Sequence, residues 1–130
     1  MHPHSEPLVN MRFRVEIDGM AGVGALEVLF PEARIVSGST QYGILTVRRG
    51  LTRSGDWYDW WDRARTSGGG PAKRVSIVLL DGAGADVIRW TFHDAKPAGY
   101  AMSGLNALGN EPVIETLEIS VAGFTAVFNR

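Results

Sequence analysis

The sequence of 130 residues lacks cysteine altogether. Disulfide bonds, thiol nucleophiles and cysteine-ligated zinc sites are therefore excluded. Long apolar runs are lacking too, so we expect no membrane span. The first residues show no basic region followed by an apolar one, and we expect no secretory signal peptide. The length suits one domain, which can bury a single core without cross-links.

The sequence also lacks an excess of charge of either sign. It has 13 basic and 14 acidic residues, a formal net charge of −1. Such a balance does not favour binding to a phosphate backbone or to an anionic membrane surface. Glycine, by contrast, is abundant at 16 residues. Together with many valine, isoleucine and leucine residues, it indicates short strands joined by tight turns.

Alternating apolar and polar residues predict a half-buried strand over residues 11–17, with Met11, Phe13, Val15 and Ile17 on one face. The remaining pattern predicts six more strands, at residues 26–30, 43–49, 75–80, 87–93, 113–121 and 124–128. Between them we expect turns at residues 37–39, 81–84 and 122–123, and a long connection over residues 94–110.

One helix is predicted after the third strand, because Trp57, Trp60, Trp61 and Ala64 recur on a single stripe. Ser54 or Asp56 is the expected N-cap, and the glycines and proline at residues 68–71 end the helix. Trp57 and one further tryptophan are expected to pack in the core. Trp61 is the candidate for a subunit contact, where tryptophan is enriched.

These elements predict a mainly β fold. We expect a β-sandwich or barrel of about seven antiparallel strands with one flanking α-helix. Residues 10–130 form the expected single domain, and residues 1–9 a flexible N-terminal arm.

The residues that carry chemistry are sparse. His2 and His4 lie in the arm and His93 is isolated, so no base stands beside a nucleophile. Glu115 and Glu118 are three apart on a strand, point to opposite faces and cannot form a carboxylate pair. Neither a dinucleotide fingerprint nor a phosphate loop is present. We therefore expect no catalytic residue, no cofactor site and no metal site.

Four stretches, in this order, resemble those of the tube proteins of contractile tails, found in phages and in phage-like injection systems. They are residues 13–19 (Phe-Arg-Val-Glu-Ile-Asp-Gly), residues 43–52 followed by the helix start at 57–61, residues 88–97 ending in Ala-Lys-Pro, and residues 105–119 with Asn-Glu-Pro-Val-Ile-Glu-Thr-Leu. The tube protein of type VI secretion is a more distant resemblance.

The resemblance implies a structural protein and not an enzyme. It implies a hexameric ring whose sheets join edge to edge around a lumen, with rings stacked into a tube that carries DNA or protein cargo. Partners would be other copies of the chain, a sheath protein, and spike or baseplate proteins. Assembly would take place in the bacterial cytoplasm, before the tube becomes part of a phage tail or an injection particle.

In the tube proteins that this sequence resembles, a long hairpin reaches the adjacent ring. The corresponding segment of this sequence, residues 18–43, looks shorter than in those proteins. An alternative is therefore a minor ring, such as a tube initiator or an adaptor between tube and spike. A monomeric β-sandwich that binds a ligand is a further alternative, because aromatic residues are in excess. The expected subunit contacts are Arg12, Arg14, Arg48, Arg49, Trp61, Pro97, Asn110 and Glu111.

Overall fold

A computed structural model describes residues 6–9, 12–21, 24–68 and 70–130. These residues form nine strands and one helix. The elements are β1 (Phe13–Ile17), β2 (Glu27–Leu29), β3 (Ala33–Val36), β4 (Ser39–Tyr42), β5 (Ile44–Gly50), α1 (Asp56–Thr66), β6 (Lys73–Leu80), β7 (Asp86–Met102), β8 (Ile114–Ser120) and β9 (Gly123–Phe128). His2, His4 and Met11 lie outside the described residues.

Strand β7 is much longer than the sequence pattern predicted. It runs for 17 residues, so the first part of the expected connection at 94–110 is strand. The prediction was wrong because Pro97 and several small residues are typical of loops. Pro97 is accommodated at an irregularity in the pairing, where the register with β8 shifts between Pro97 and Gly99. The actual connection is the shorter stretch after Met102.

Strands β8 and β9 both pair with β7, one after the other along its length. Lys96 pairs with Ser120 and His93 with Gly123, so the register is continuous across the junction. The backbone N–H of Ala122 donates to the carbonyl of His93 at 3.0 Å and bridges the gap. The expected turn at residues 122–123 therefore does not reverse the chain, and residues 114–128 form one long ribbon with β7.

The long ribbon connects two halves of one sheet. The first half of β7 lies between β6 and β9, with β1 beyond β6, and its second half pairs with β8, followed by β5 and β2. Inward side chains from both halves, including Ile77, Phe92, Leu45 and Leu117, belong to one buried cluster. The sheet thus folds over on itself, which confirms the predicted β-sandwich or barrel with antiparallel strands.

Helix α1 covers one end of this core. Trp57 and Trp60 are buried, and the indole N–H of Trp60 donates to the carbonyl of Pro71 at 3.1 Å. Trp61 is half-buried and packs at the margin of the core. None of the described residues forms a helix with the length and apolar character needed to cross a bilayer.

The predicted N-cap of α1 is wrong. Gly55 occupies that position with φ of 65°, and no side chain caps it. Asp56 is instead the first helical residue, and its Oδ1 accepts from the backbone N–H of Trp57 at 2.9 Å. Glycine is preferred here because this left-handed conformation strains residues with a Cβ atom.

Strands β3 and β4 form a separate two-stranded hairpin, which raises the strand count from seven to nine. Its turn has φ of 51° at Ser37 and 84° at Gly38, the positive values of a tight hairpin turn. Residues 32–41 are all exposed, whereas Tyr42 at the base packs its ring against Phe124 with centroids 5.8 Å apart. A strand exposed on both faces has no apolar alternation, so only its turn was predictable.

Candidate assembly surfaces and ion-pair networks

A buried ion-pair network joins α1 to the sheet. The Nε of Arg49 donates to Oε1 of Glu115 at 2.7 Å, and its Nη2 donates to Asp56. The hydroxyl of Tyr100 donates to the second oxygen of Glu115. The guanidinium also lies over the ring of Trp57, 4.0 Å from its centroid. Arg49 and Glu115 are 2% and 0% exposed, so this cluster lies inside the subunit.

The network is electrostatically satisfied. Burial raises the pKa of Asp56, but hydrogen bonds from Arg49 and Ser54 outweigh it and hold that pKa below its ordinary value. Burial and the hydrogen bond to Glu115 raise the pKa of Tyr100 well above its ordinary range, so the phenol stays protonated. No buried side-chain polar atom of the described residues is left without a partner. The network therefore fixes the helix on the sheet.

A second network covers the outer face of β1, β6 and β7. Glu16 accepts from Arg14 at 2.7 Å and from Arg89 at 2.8 Å, and Asp86 lies 3.5 Å from both arginines. The hydrogen bond from Arg89 is the main reason that the pKa of Glu16 lies below its ordinary value. Val78 pairs with Arg14 and Arg89 on the neighbouring strands and is fully buried beneath them. These charges solubilise the face and cover its apolar centre.

In the seven-stranded sheet, four strand edges carry only one neighbour among the described residues. Strands β1, β2 and β9 each have a single partner, and residues 96–102 of β7 pair only with β8. The backbone N–H and C=O groups on the other side of each edge can pair with a further strand. The edges of β9 and of residues 96–102 lie on opposite sides of the long ribbon.

The basic residues of the expected contact set lie in different surroundings. Arg12 is exposed beside the turn between β6 and β7. Arg14 takes part in the network around Glu16, and Arg48 pairs with Glu27 on β2 at 2.8 Å. Arg49 is buried within the subunit and presents no surface to a neighbour, so it does not belong in a contact set.

The other expected contact residues are at least partly accessible. Trp61 and Pro97 are half-buried, and Pro97 lies in the part of β7 whose far edge is open. Asn110 and Glu111 are exposed in the connection between β7 and β8. The structure thus distributes these residues over several surfaces and does not assemble them into one cluster.

The structure also locates the histidine and the two glutamates for which no catalytic role is expected. His93 is exposed on β7, and Glu115 and Glu118 point to opposite faces of β8, one buried and one exposed. Among the described residues, no group of three or more histidine, aspartate and glutamate side chains is arranged to hold a metal ion.

Sequence reasoning missed the network around Arg49. Two of the groups that meet its guanidinium, the carboxylate of Asp56 and the ring of Trp57, come from α1, and the third, the carboxylate of Glu115, comes from β8. The partners of the ion pair are identified by the register of β5 and β8, which places Arg49 opposite Glu115. The sequence did hold one signal: an arginine and a glutamate at inward positions of two strands require each other, since neither is buried alone.

A small β-sandwich with open strand edges and a projecting hairpin is an architecture whose edges can pair with those of neighbouring molecules. A chain in the baseplate of the anti-feeding prophage has the same fold, with a TM-score of 0.73, 21% identity, and coverage of 95% of this chain and 97% of that one. A chain in the sheath–tube complex of the extracellular contractile injection system PVC gives 0.73, 16% identity, and coverage of 96% and 94%. Hcp1 from Flavobacterium johnsoniae gives 0.71, 16% identity, and coverage of 92% and 97%.

The sequence itself identifies the family. Residues 27–125 match the model of the T4-like virus tail tube protein gp19 family. This match spans more than half of the chain, from β2 to β9, and the chain belongs to that family. It is a tail tube subunit of the kind that contractile systems use. A comparison with curated protein sequences returned no match.

Proposed function

We propose that six copies of this chain close into a ring, and that the rings stack into the inner tube of a contractile tail or injection system. The lumen carries DNA or protein cargo, and the subunit is structural rather than catalytic. The tube contacts a sheath protein outside and spike or baseplate proteins at its end. Assembly takes place in the bacterial cytoplasm, before the tube enters its particle.

The open edges carry this proposal. An edge strand that stays unpaired is a template for uncontrolled association, and pairing with a neighbouring copy in a closed ring removes that hazard. Residues 96–102 of β7 and strand β9 offer edges of seven and six residues on opposite sides of one ribbon. An edge on either side is the arrangement that head-to-tail pairing around a ring needs.

The β3–β4 hairpin supports stacking of the rings. Ile35 near its tip is 80% exposed, and a lone two-stranded hairpin gains little stability from its own contacts. The hairpin is fixed at its base through Tyr42 and Phe124, so it projects as a defined arm. We assign this arm to contact with the adjacent ring.

The place of the subunit along the tube is a finer proposal. The chain keeps a projecting hairpin in the region that looked short from sequence. This hairpin favours the repeating tube subunit over a tube initiator or an adaptor ring. The contacts proposed from sequence remain Arg12, Arg14, Arg48, Trp61, Pro97, Asn110 and Glu111.

Negative-stain electron microscopy of the purified chain at increasing concentration tests the proposal. We expect six-fold rings with an open centre, and short stacks at the highest concentrations. Ile35→Asp should leave the rings intact and shorten the stacks, with Ile35→Val as the matched control. A native protein that remains a monomer throughout would contradict the proposed function.

A further inference from the structure

The part of the sheet formed by β2, β5, β8 and residues 96–102 of β7 has two distinct ends. The pairing register groups at one end Ile44, Ser120 and Lys96, and at the other end Gly50, Ile114 and Met102. Strand β5 runs from one end to the other in seven residues, which at about 3.3 Å per residue separates the ends by about 20 Å.

The proposed ring fixes the direction in which these two ends point. Copies that join edge to edge extend the sheet sideways, across its strands. In a barrel closed in this way the strands are typically tilted by about 35–45° from the axis, so their two ends face opposite openings of the ring. Each ring therefore presents one end of the strands to the ring above it and the other end to the ring below it.

The β3–β4 hairpin leaves the sheet at the first of these ends. Its roots are Glu32 and Gly43, and the backbone N–H of Gly43 donates to the carbonyl of Glu32 at 2.8 Å. Gly43 directly precedes β5, and β2 runs antiparallel to β5 toward the same end. Residues 32–41 are all exposed, so the hairpin does not fold back onto a face of the sheet. Near its tip, Ile35 is 80% exposed and Val36 is 43% exposed.

The opposite end carries the connection between β7 and β8. This connection over residues 103–112, which we call the leucine loop, exposes 83% of Leu105 and 95% of Leu108. Met102 at the end of β7 and Leu51 just after β5 are exposed as well, at 53% and 42%. Four apolar side chains are thus exposed at one end of the sheet, and exposed apolar groups of this kind mark contacts with other molecules.

The leucine loop is held in a defined shape. At its base, the backbone N–H of Ser103 donates to the carbonyl of Ile114, and the backbone N–H of Ile114 donates to the hydroxyl of Ser103, both at 2.9 Å. Nearer the tip, Oδ1 of Asn106 accepts from the backbone N–H of Leu108 and its carbonyl accepts from Gly109, both at 3.0 Å. A loop that is already ordered loses little conformational entropy when it binds.

Stacking brings the hairpin and the leucine loop together. Rings that stack in one direction meet head to tail, so the hairpin end of one ring faces the loop end of the next, and like ends do not meet. The leucine loop also continues directly from residues 96–102, the edge proposed to pair with the neighbouring copy within the ring. A second copy is therefore already beside it. Both surfaces are apolar and exposed, and their contact removes both from water.

We propose that the β3–β4 hairpin of each subunit docks its tip, led by Ile35, against Leu105 and Leu108 of a subunit in the adjacent ring. This inference rests on the proposed ring and names the surface that receives the projecting arm. The contact is polar, because each subunit gives its hairpin to one neighbouring ring and its leucine loop to the other. The tube therefore grows with all hairpins pointing in one direction.

The first test separates ring formation from ring stacking in the full chain. Native mass spectrometry detects the rings, and negative-stain electron microscopy gives the concentration at which stacks appear. The variant Leu105→Asp with Leu108→Asp should form rings like the native chain and raise the stacking concentration at least about tenfold. Leu105→Met with Leu108→Met is the matched control and should stack like the native chain. Both positions are exposed, and circular dichroism verifies that the variants fold.

Two results of that experiment overturn the inference. An aspartate variant that stacks as readily as the native chain would show that the leucine loop does not receive the hairpin. An aspartate variant that folds but loses its rings would place the leucine loop in the contact within a ring instead.

The lack of cysteine in the chain allows a second test, of which surfaces meet. A variant with Ile35→Cys and Leu108→Cys is assembled into stacks and treated with a short bismaleimide cross-linker. Because each subunit is then linked to one subunit above and one below, denaturing electrophoresis should show a ladder of multiples of 14.1 kDa. Either cysteine alone should leave monomers. Stacks of the double variant without a ladder, or dimers from a single-cysteine variant, contradict the proposed contact.

The native chain separates this inference from the proposed function. If the native chain never assembles, the proposed function fails and the contact fails with it. If the native chain forms rings and tubes and the aspartate variant of the leucine loop does so equally well, only the contact is wrong.

Discussion

Arg49 and Glu115 form a salt bridge in the interior of the subunit, with 2.7 Å between Nε and Oε1 and almost no exposure of either side chain. They are directly opposite on β5 and β8. Nη2 of Arg49 also donates to Asp56, and the second carboxylate oxygen of Glu115 accepts from the hydroxyl of Tyr100. The pair therefore connects the helix with three strands of the sheet.

Removing one partner of this pair should be strongly destabilising. Arg49→Met leaves the carboxylate of Glu115 buried without its counter-charge, which costs about 3–5 kcal/mol of unfolding free energy. Equilibrium unfolding in urea measures this loss. The double variant Arg49→Met with Glu115→Leu should lose less than the sum of the two single variants, because no unpaired charge is left on this pair. Additive losses would show that the two residues are not coupled.

The two neighbouring tyrosines allow a matched comparison. The rings of Tyr58 and Tyr100 pack edge-to-face with centroids 5.8 Å apart, yet only Tyr100 donates to a buried carboxylate. Tyr100→Phe leaves that oxygen of Glu115 without its donor and should cost about 1–3 kcal/mol. The hydroxyl of Tyr58 lies at the surface, 3.4 Å from Arg65, and Tyr58→Phe should cost less than about 0.5 kcal/mol. Thermal or urea unfolding of both variants checks the difference, and equal losses would contradict it.

Acid should weaken the fold through Glu16 and Asp56. Both have a pKa below the ordinary values of 4.5 and 3.8, so both bind protons less readily in the folded chain than in the unfolded one. Their contribution to stability is present above those ordinary values, and it is lost as the pH falls through the lower folded values. Urea unfolding at a series of pH values should show a decline that begins below about pH 4.5. Glu16→Gln should make this decline shallower, and a variant with the native slope would contradict the assignment.

Two glycines after α1 should respond differently to the same substitution. Gly68 and Gly70 both have positive φ, 69° and 57°. A Cβ atom on Gly68 meets nothing within 4 Å, whereas one on Gly70 lies 3.0 Å from the backbone N and Cα of Ala64. Gly68→Ala should cost about 1–2 kcal/mol from backbone strain alone. Gly70→Ala should cost about 1–3 kcal/mol more, because the helix and the segment after it must move apart. Unfolding midpoints measure both, and equal costs would exclude the close approach.

The sequence predicted the fold where side chains alternate or recur regularly. Strand β1, the apolar strand β6 and the tryptophan stripe of α1 were all predicted near their observed positions. The hairpin of β3 and β4 was not, because its strands are exposed on both faces and carry no period. The extension of β7 through Pro97 was missed because local residue preference indicated a loop, whereas pairing with β8 imposes a strand.

The surfaces were harder to predict than the fold. Arg49 looked like a surface residue because arginine usually is, and only pairing with Glu115 shows that it is buried. A surface cleft of about 1010 Å³ is lined by apolar residues from four separate parts of the chain, including Val9, Leu26, Ile77 and Trp90, and no sequence spacing relates them. The tail tube family, by contrast, could be inferred from the order of short motifs, and the family match to residues 27–125 confirms it.

The mass of the assembled particle tests the central claim most directly. Native mass spectrometry of the full chain, at the concentrations where electron microscopy is performed, should give a closed ring of six times the 14.1 kDa subunit, together with multiples of that ring. A single species at the subunit mass at every concentration would contradict the claim that this chain builds a tube.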